Sequence, residues 1–195
     1  MYRTHNCGEL RRENIGERVT LAGWVSKRRN LGSICFMDLR DRYGITQITF
    51  NEELAQSIKD VRNEYVIQVE GVVALKEVAN PKLETGEIEV IVDKFRLFSS
   101  AKTTPMIIAD ETDALEEVRL KYRYLDIRRN PIKEKLLVRD KICTIFRKHL
   151  HDLDFVEIET PILSKSTPEG ARDYLVPSRL YHGKFYALPQ SPQIY

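Results

Sequence analysis

The sequence predicts an α+β protein: a small β-barrel in the first half, then helices that lead into short strands. Three observations support this fold class. Apolar and polar residues alternate in short runs through residues 19–97, one helical pattern interrupts those runs, and a polar stretch at residues 99–105 separates them from longer helical patterns. At 195 residues the chain has room for one large or two small domains, each able to bury a core.

The composition is that of an ordinary soluble protein, with 42% hydrophobic residues, 31% charged residues and a net charge of +2. No stretch approaches the roughly 20 apolar residues of a membrane span, and the N-terminus lacks a signal-peptide pattern. We therefore expect a cytoplasmic protein with no membrane segment. The three cysteines are far apart and the four histidines form no ligand pattern, so we expect reduced thiols and no metal site.

Five strand patterns make up the first half, with turn residues between them. Gly23 lies in the first pattern and predicts a bend or bulge of the kind that closes small barrels. Between the third and fourth patterns, Asn51 is placed to cap a helix whose apolar face carries Leu54, Ile58 and Val61. The strand patterns occupy residues 19–25, 34–40, 45–50, 65–73 and 88–97.

Three strands, a helix and two more strands is the order of the OB-fold, which usually binds oligonucleotides or sugars. Period two places Phe36 and Gln47 on the face away from the core, and the cationic run at residues 27–30 stands where the first strand is expected to end. An aromatic ring, an amide and cations are what a single-stranded nucleic-acid site requires. Alternatively, the cations form a solvated run and Phe36 packs under a loop.

The second half begins with helical patterns. Residues 110–128 predict a basic helix, which is either a solvated face or a surface near nucleic acid. An Asn-Pro pair predicts the start of a second helix over residues 130–151. Residues 155–161 then predict a strand that Pro161 ends or places at a sheet edge.

Two polar segments near the end carry the remaining candidate site. Glu169, Arg172 and Asp173 crowd three ionisable groups into five positions, and Ser191 and Gln193 lie beside two prolines. Such groups suit a small zwitterion, because a carboxylate binds an ammonium group and amides orient the rest. The alternative is a solvated surface loop.

The order of a barrel, a hinge, a long helix, a strand that ends at Pro161 and the polar segment from residue 167 resembles the class II aminoacyl-tRNA synthetases of the lysine, asparagine and aspartate subgroup. Within that subgroup, it resembles the bacterial aspartyl-tRNA synthetases. The resemblance runs from residue 7 to residue 195. Its most specific marks are Gly-Trp-Val at 23–25, Arg-Leu-Lys-Tyr-Arg-Tyr-Leu-Asp at 119–126, and the segments 167–177 and 187–193.

The resemblance implies that the OB-fold domain binds the tRNA anticodon. Phe36 would stack on a base, Gln47 and Arg29 would read base edges, and Arg62 and Asn80 would add contacts. It also implies a homodimer whose interface includes residues 155–163, with Pro161 as the characteristic proline of that motif.

The resemblance further implies an aspartate pocket in which Glu169 takes the ammonium group, Ser191 and Gln193 line the wall, and residues 167–173 form a mobile loop. In this family, L-aspartate and ATP, assisted by Mg²⁺, give aspartyl-adenylate, and the aspartyl group then passes to tRNA(Asp). The sequence stops before the ATP-binding motifs of the family. We therefore expect no catalytic residue within this chain, no activity from it alone, and a loosely folded second half.

Three residues of the sequence depart from the family pattern. Asp154 replaces a usual Gly, so the turn there is expected to differ; Lys27 replaces a common Arg; and Leu31 stands where enzymes of relaxed tRNA choice often carry His. Two alternatives stay open: an asparaginyl- or lysyl-tRNA synthetase, or a stand-alone OB-fold protein that binds single strands. The predicted domains are an anticodon-binding domain at 1–104, a hinge and linker helix at 105–135, and an incomplete catalytic domain at 136–195.

Overall fold

The computed structural model describes residues 2–167 and 172–195. The chain divides into two compact units, Met1–Pro105 and Met106–Tyr195. Among the described residues, no helix is both long enough and apolar enough to cross a membrane.

The first unit is a closed five-stranded barrel, which confirms the predicted OB-fold. Around the barrel the strands follow the order β1-β2-β3-β5-β4, and β4 pairs back onto β1. All neighbours are antiparallel except β3 and β5, which are parallel. The strands are β1 (Arg18–Leu31), β2 (Ile34–Arg40), β3 (Ile45–Phe50), β4 (Val66–Leu75) and β5 (Ile88–Ser99).

The barrel core follows from the period-two pattern of the strands. On β2, Cys35, Met37 and Leu39 are buried, and Phe36 on the opposite face is only half-buried, as the alternation predicts. The predicted helix between β3 and β4 is α1 (Glu52–Ala55), where Asn51 accepts a hydrogen bond from the backbone N–H of Leu54 at 3.2 Å. This helix is much shorter than its sequence pattern suggested. The rest of the segment is a series of turns that still buries Ile58 and Val61.

Strand β1 differs from its prediction in two ways. The irregularity in its pairing with β2 lies between Val25 and Lys27, not at Gly23. Gly23 is required for close approach instead, because a Cβ there would lie 2.5 Å from the carbonyl oxygen of Arg40. The strand also continues through residues 27–30, so the cationic run lies within β1 and not beyond its end.

A single carboxylate ties the start of the chain to the turn between β2 and β3. Asp41 accepts hydrogen bonds from the backbone N–H groups of Cys7, Tyr43 and Gly44 at 2.9, 2.7 and 3.1 Å, and from Nη1 of Arg3 at 3.2 Å. Burial, helped by the nearby Asp41 carboxylate, strongly raises the pKa of the Cys7 thiol. That thiol therefore stays protonated and unreactive at neutral pH.

The second unit contains helices followed by a two-stranded sheet. The helices are α2 (Glu116–Lys121), α3 (Arg123–Asp126) and α4 (Asn130–Asp152), and the strands are β6 (Leu175–Pro177) and β7 (Phe185–Ala187). The prediction of one continuous helix over residues 110–128 is wrong. Tyr122, with φ −108° and ψ 44°, separates α2 from α3, and the carbonyl groups of Ala109 and Asp110 accept hydrogen bonds from the Arg129 guanidinium.

A buried carboxylate holds these short helices together. Asp126 is fully buried and accepts hydrogen bonds from Arg119 at 3.1 Å, Arg123 at 2.8 Å and Arg129 at 2.7 Å. Burial alone would raise the pKa of Asp126, but the hydrogen bonds from Arg119 and Arg129 outweigh it and lower that pKa. The carboxylate is thus ionised and bound on several sides.

Helix α4 agrees with its predicted bounds to within one residue, although Arg129, not Asn130, occupies the N-cap position. None of the described residues of α4 is buried. Asp154, expected to alter the turn after α4, adopts a φ of +64°, the left-handed conformation that glycine favours. Aspartate tolerates this region better than most residues.

Residues 155–161 do not form the predicted strand. Instead they lie along α4: the backbone N–H of Phe155 donates to Leu150 O at 3.0 Å, and Glu157 pairs with Arg147 at 2.8 Å. A strand needs a partner for its backbone groups, and the described part of the chain offers none to this segment.

Candidate nucleic-acid interface and amino-acid loop

Three of the predicted anticodon contacts lie in one groove on the barrel, here named the aromatic groove. Arg29 on β1, Phe36 on β2 and Gln47 on β3 share it because the strand register places them side by side: Arg29 pairs with Phe36, and Gln47 lies one strand further along. The groove has a volume of about 560 Å³. Its lining residues are Arg29, Leu31, Ile34, Phe36, Gln47, Thr49, Lys76, Glu77, Val78, Glu89 and Ile91.

Hydrogen bonds fix the orientation of the Gln47 amide. Its Oε1 accepts from Nη2 of Arg29 at 3.3 Å, and its Nε2 donates to Glu89 at 2.9 Å. An arginine can only donate and a carboxylate can only accept, so the amide can point in one direction only. One N–H and one oxygen lone pair of Gln47 remain for another partner, the combination that reads a base edge.

The sequence did not single out several polar residues of this groove. Asp38 binds Arg29 at 2.9 Å, and Glu89 also accepts a hydrogen bond from the Thr49 hydroxyl. Burial lowers the pKa of Lys76, although the nearby Asp38 and Glu89 carboxylates oppose that effect. Period two along the fifth strand would have placed Glu89 outside the core, but only the β3–β5 pairing shows that it contacts Gln47.

Arg62 lies in a different groove, here named the cationic groove. It has a volume of about 650 Å³ and lies between the end of β1, the turns before β4 and the segment after β5. Its lining residues are Arg28, Asn30, Lys59, Val61, Arg62, Asn63, Tyr65, Ala101, Lys102, Thr103 and Thr104.

Asn80 is not among the described residues that line either groove. It forms a tight turn in which its backbone N–H donates to Gly86 O at 2.9 Å and its side chain accepts from Lys82 N at 3.1 Å. Gly86 is required here, since a Cβ would lie 1.8 Å from the Asn80 carbonyl oxygen. The observed contacts of Asn80 thus shape the loop between β4 and β5.

In the second unit, one of the predicted aspartate-binding residues, Glu169, lies outside the described residues. The hydroxyl oxygen of Ser191 accepts a hydrogen bond from the backbone N–H of Gln193 at 3.3 Å, at the start of a short 3-10 turn. Ser191 and Gln193 are therefore hydrogen-bonded neighbours, and their part in an aspartate pocket stays a prediction.

Asp173 joins the two polar segments of the second unit. Its carboxylate accepts hydrogen bonds from the Ser166 hydroxyl, the Gln190 amide and the backbone N–H of Thr167, the last at 3.1 Å. The hydrogen bond from Ser166, followed by that from Gln190, lowers the pKa of Asp173. Sequence reasoning noted Asp173 only as part of a charged cluster, because its partners lie up to 17 residues away.

Pro161 is exposed and lies in the segment that follows α4. Its neighbours Ile158 and Ile162 are 73% and 77% exposed, so this segment presents apolar side chains on the surface of the unit. Its part in a dimer interface stays a prediction.

Comparison with protein families gives two matches. Residues 19–98 match the OB-fold nucleic-acid-binding domain of the anticodon type, and residues 115–195 match the class II tRNA synthetases for aspartate, lysine and asparagine. The chain thus combines an OB-fold domain with a segment of the class II tRNA synthetase type.

Among curated relatives, the aspartate–tRNA ligase of Flavobacterium psychrophilum is 54% identical over 200 residues, covering 100% of this chain and 34% of that protein. An aspartate–tRNA(Asp/Asn) ligase from a Geobacillus species is 53% identical over 199 residues, covering 99% of this chain and 34% of that protein. The chain thus spans about a third of the length of these relatives.

A solved structure supports the same fold. The asparaginyl-tRNA synthetase from Pyrococcus horikoshii, in complex with asparaginyl-adenylate, is 29% identical, with a TM-score of 0.80 over 100% of this chain and 44% of that one.

Proposed function

We propose that this chain is part of an aspartate–tRNA ligase that activates L-aspartate with ATP to aspartyl-adenylate and transfers the aspartyl group to tRNA(Asp). The observation that carries the proposal is the shared groove of Arg29, Phe36 and Gln47 in a chain that is over 50% identical, along its whole length, to aspartate–tRNA ligases. The proposal includes a cytoplasmic homodimer with residues 155–163 and Pro161 at its interface.

The aromatic groove would bind the anticodon. Phe36 offers a half-buried ring on which a base can stack, a contact worth about 1–3 kcal/mol per base. Gln47 offers one donor and one acceptor in a fixed direction, and Arg29, held by Asp38, adds donors beside it. Arg62 and Asn80 are proposed as further contacts, Arg62 from the cationic groove and Asn80 from the loop before β5.

Glu169, Ser191 and Gln193 would form one wall of the aspartate pocket. Glu169 would bind the substrate ammonium group as an ion pair, and Ser191 and Gln193 would orient the rest of the molecule by hydrogen bonds. Asp173 would hold the end of the 167–173 loop against the segment of Gln190 and Ser191 through its bonds to Ser166 and Gln190. The loop would then close over the pocket wall that Ser191 and Gln193 form.

ATP is the family's second substrate, and Mg²⁺ would assist its reaction. The described residues contain no group of three or more His, Cys, Asp or Glu side chains that could hold a metal ion. We therefore assign none of the described residues a role toward the metal.

A binding experiment tests the anticodon assignment. The purified chain, labelled for fluorescence anisotropy, is titrated at fixed salt with tRNA(Asp) and with transcripts altered in the anticodon. Phe36→Ala is expected to weaken binding about 10-fold through lost stacking. Tyr43→Ala is the matched control, because Tyr43 is an exposed aromatic residue of the β2–β3 turn outside the aromatic groove. Equal affinity for all anticodon sequences would contradict the proposal.

A second candidate is a ligase that also charges tRNA(Asn). The Geobacillus relative carries that dual description, and its identity to this chain differs by only one percentage point from that of the Flavobacterium relative. Adding tRNA(Asn) to the same titration separates the two candidates. Affinity within about twofold of that for tRNA(Asp) would favour the dual ligase.

A further inference from the structure

We propose that the cationic groove binds the sugar–phosphate backbone of RNA and contributes affinity without reading sequence. This inference rests on the proposed tRNA binding and adds a second RNA site on the barrel. It gives Arg62, expected so far only as an additional anticodon contact, a role that differs from base reading.

The charges in this groove are not balanced. Lys59, Arg62 and Lys102 are exposed, and among the described residues none of their side chains forms an ion pair or hydrogen bond. The described lining contains no carboxylate. Of the two acidic residues nearest in sequence, Glu64 is bound to Arg40 by two hydrogen bonds, at 2.8 and 2.9 Å, and Asp60 is not among the lining residues.

The aromatic groove shows the opposite arrangement. There, Arg29 is paired with Asp38, and Lys76 lies near both Asp38 and Glu89. Balanced charges suit the reading of neutral base edges, and unbalanced cations suit phosphate groups. The two grooves thus differ in the part of a nucleotide that each can bind.

The cationic groove is held in place by Arg28, which acts as a positioning residue. Its Nη1 donates to the carbonyl oxygens of Ile58, Lys59 and Val61 at 2.9, 2.9 and 2.7 Å. This fixes the turns that carry Lys59 and Arg62 against strand β1. Lys59 is therefore anchored at its own carbonyl, and Arg62 at the carbonyl of the preceding residue, Val61, so that their side chains extend from fixed points.

Strand β1 forms the boundary between the two grooves. Arg29 lines the aromatic groove, and its neighbours Arg28 and Asn30 line the cationic groove, because successive side chains point to opposite faces of a strand. A single RNA strand that crosses this ridge can place bases on one side and phosphates on the other. The hydroxyls of Thr103 and Thr104 and the amide of Asn63 supply further donors to phosphate oxygens.

The test is the salt dependence of tRNA binding. The triple variant Lys59→Gln, Arg62→Gln, Lys102→Gln is titrated with tRNA(Asp) over a series of salt concentrations. The slope of log Kd against log salt is expected to fall by about 2, because each phosphate contact that is lost lowers the number of counterions released when tRNA binds. At fixed salt, binding weakens by a similar factor for every anticodon sequence, so discrimination between sequences is unchanged.

A matched control removes the same charge elsewhere on the barrel. Arg12→Gln, Arg18→Gln, Lys94→Gln lowers the net charge equally at exposed positions that are not among the described lining of either groove. Its slope is expected to change by less than half as much. Equal changes in both triple variants would overturn the proposal, as would an unchanged slope in the test variant.

Two further outcomes are decisive. If the test variant loses discrimination between anticodon sequences, these cations read bases and the backbone assignment is wrong. If wild-type protein binds inorganic phosphate, the test variant does not, and the tRNA slope stays the same, the groove is a small-anion site and the proposal is also wrong. A wild-type protein that cannot distinguish anticodon sequences contradicts the proposed function, whatever the slopes show.

Discussion

The barrel and the second unit are stabilised by different means. Among the described residues, the barrel encloses 18 buried apolar side chains in one cluster. In the described part of the second unit, the buried apolar residues are Met106, Leu125 and Ala187, and its most connected group is the ionised Asp126 with its arginines. One unit is thus held mainly by a core, and the other by polar contacts around short helices.

The two units differ in how much of their apolar surface they cover by themselves. A closed barrel leaves no strand edge unpaired and covers its own apolar faces. Helix α4 instead exposes large apolar side chains, among them Ile145 at 56% and Phe146 at 65%. Contiguous exposed apolar surface of this kind marks a site of interaction. We therefore expect the second unit to gain stability by contact with further protein, and the barrel to need none.

Hydrogen exchange gives the largest expected contrast. Amides of β4, such as Val69, should exchange only on global unfolding of the barrel. Those of α4, such as Ile142, should exchange by local opening, on the order of a thousandfold faster. Mass spectrometry of the exchanging chain measures both at once. Uniform protection across the two units would show that α4 does not open more readily than the barrel.

A matched pair of substitutions sharpens the same contrast. Ile48 is fully buried in the barrel and Ile145 is 56% exposed on α4. Ile48→Ala is expected to destabilise the barrel by about 2–5 kcal/mol, through lost burial and a cavity. Ile145→Ala should cost less than about 0.5 kcal/mol, as for an ordinary surface site. Urea unfolding followed by circular dichroism measures each change, and comparable costs would indicate that α4 is covered in solution.

Acid should loosen the second unit before the barrel. The folded-state pKa of Asp126 lies below its ordinary value, so its ionised form stabilises the fold above the unfolded pKa of about 4. That contribution is lost as the pH falls through the folded pKa. The backbone amide resonances of α3, followed from about pH 6 to about pH 2, are expected to broaden or disappear first.

Replacing the carboxylate tests the same group at neutral pH. Asp126→Asn should destabilise the α2–α3 region by about 3 kcal/mol, because it leaves buried arginine charge uncompensated. The variant should also lose the acid-dependent step. Asp113→Asn, at an exposed position of the same unit, is the control and should behave like wild type. An unchanged acid transition in Asp126→Asn would assign that transition to another group.

The sequence predicted what depends on local pattern. Alternation along residues 34–40 was enough to place Met37 inside the barrel and Phe36 outside it, because side-chain direction in a strand is set by parity alone. Parity also placed Gln47 on the outer face. It could not reveal the contact between Gln47 and Glu89, which depends on the parallel pairing of two strands separated by 37 residues of chain.

The wrong predictions share a cause: a distant partner outweighed local preference. Residues 110–115 are not helical, and the carbonyl of Asp110 accepts a hydrogen bond from Arg129, 19 residues away. Residues 155–161 have strand-like composition but lie against α4, where Glu157 pairs with Arg147. Arg62, expected as a further anticodon contact, lies in the neighbouring groove whose turns Arg28 fixes, and its role stays a prediction.

The strand order of the barrel has a consequence for protein synthesis. The first strand pairs with the fourth, and the third pairs with the fifth, so neither contact can form until the later strand has left the ribosome. Folding is slow when pairing partners are distant in sequence. The nascent barrel therefore cannot close until β5, which ends at Ser99, is available. The surfaces that would bind RNA include residues from β5 onward, so they are completed only in this last step of closure.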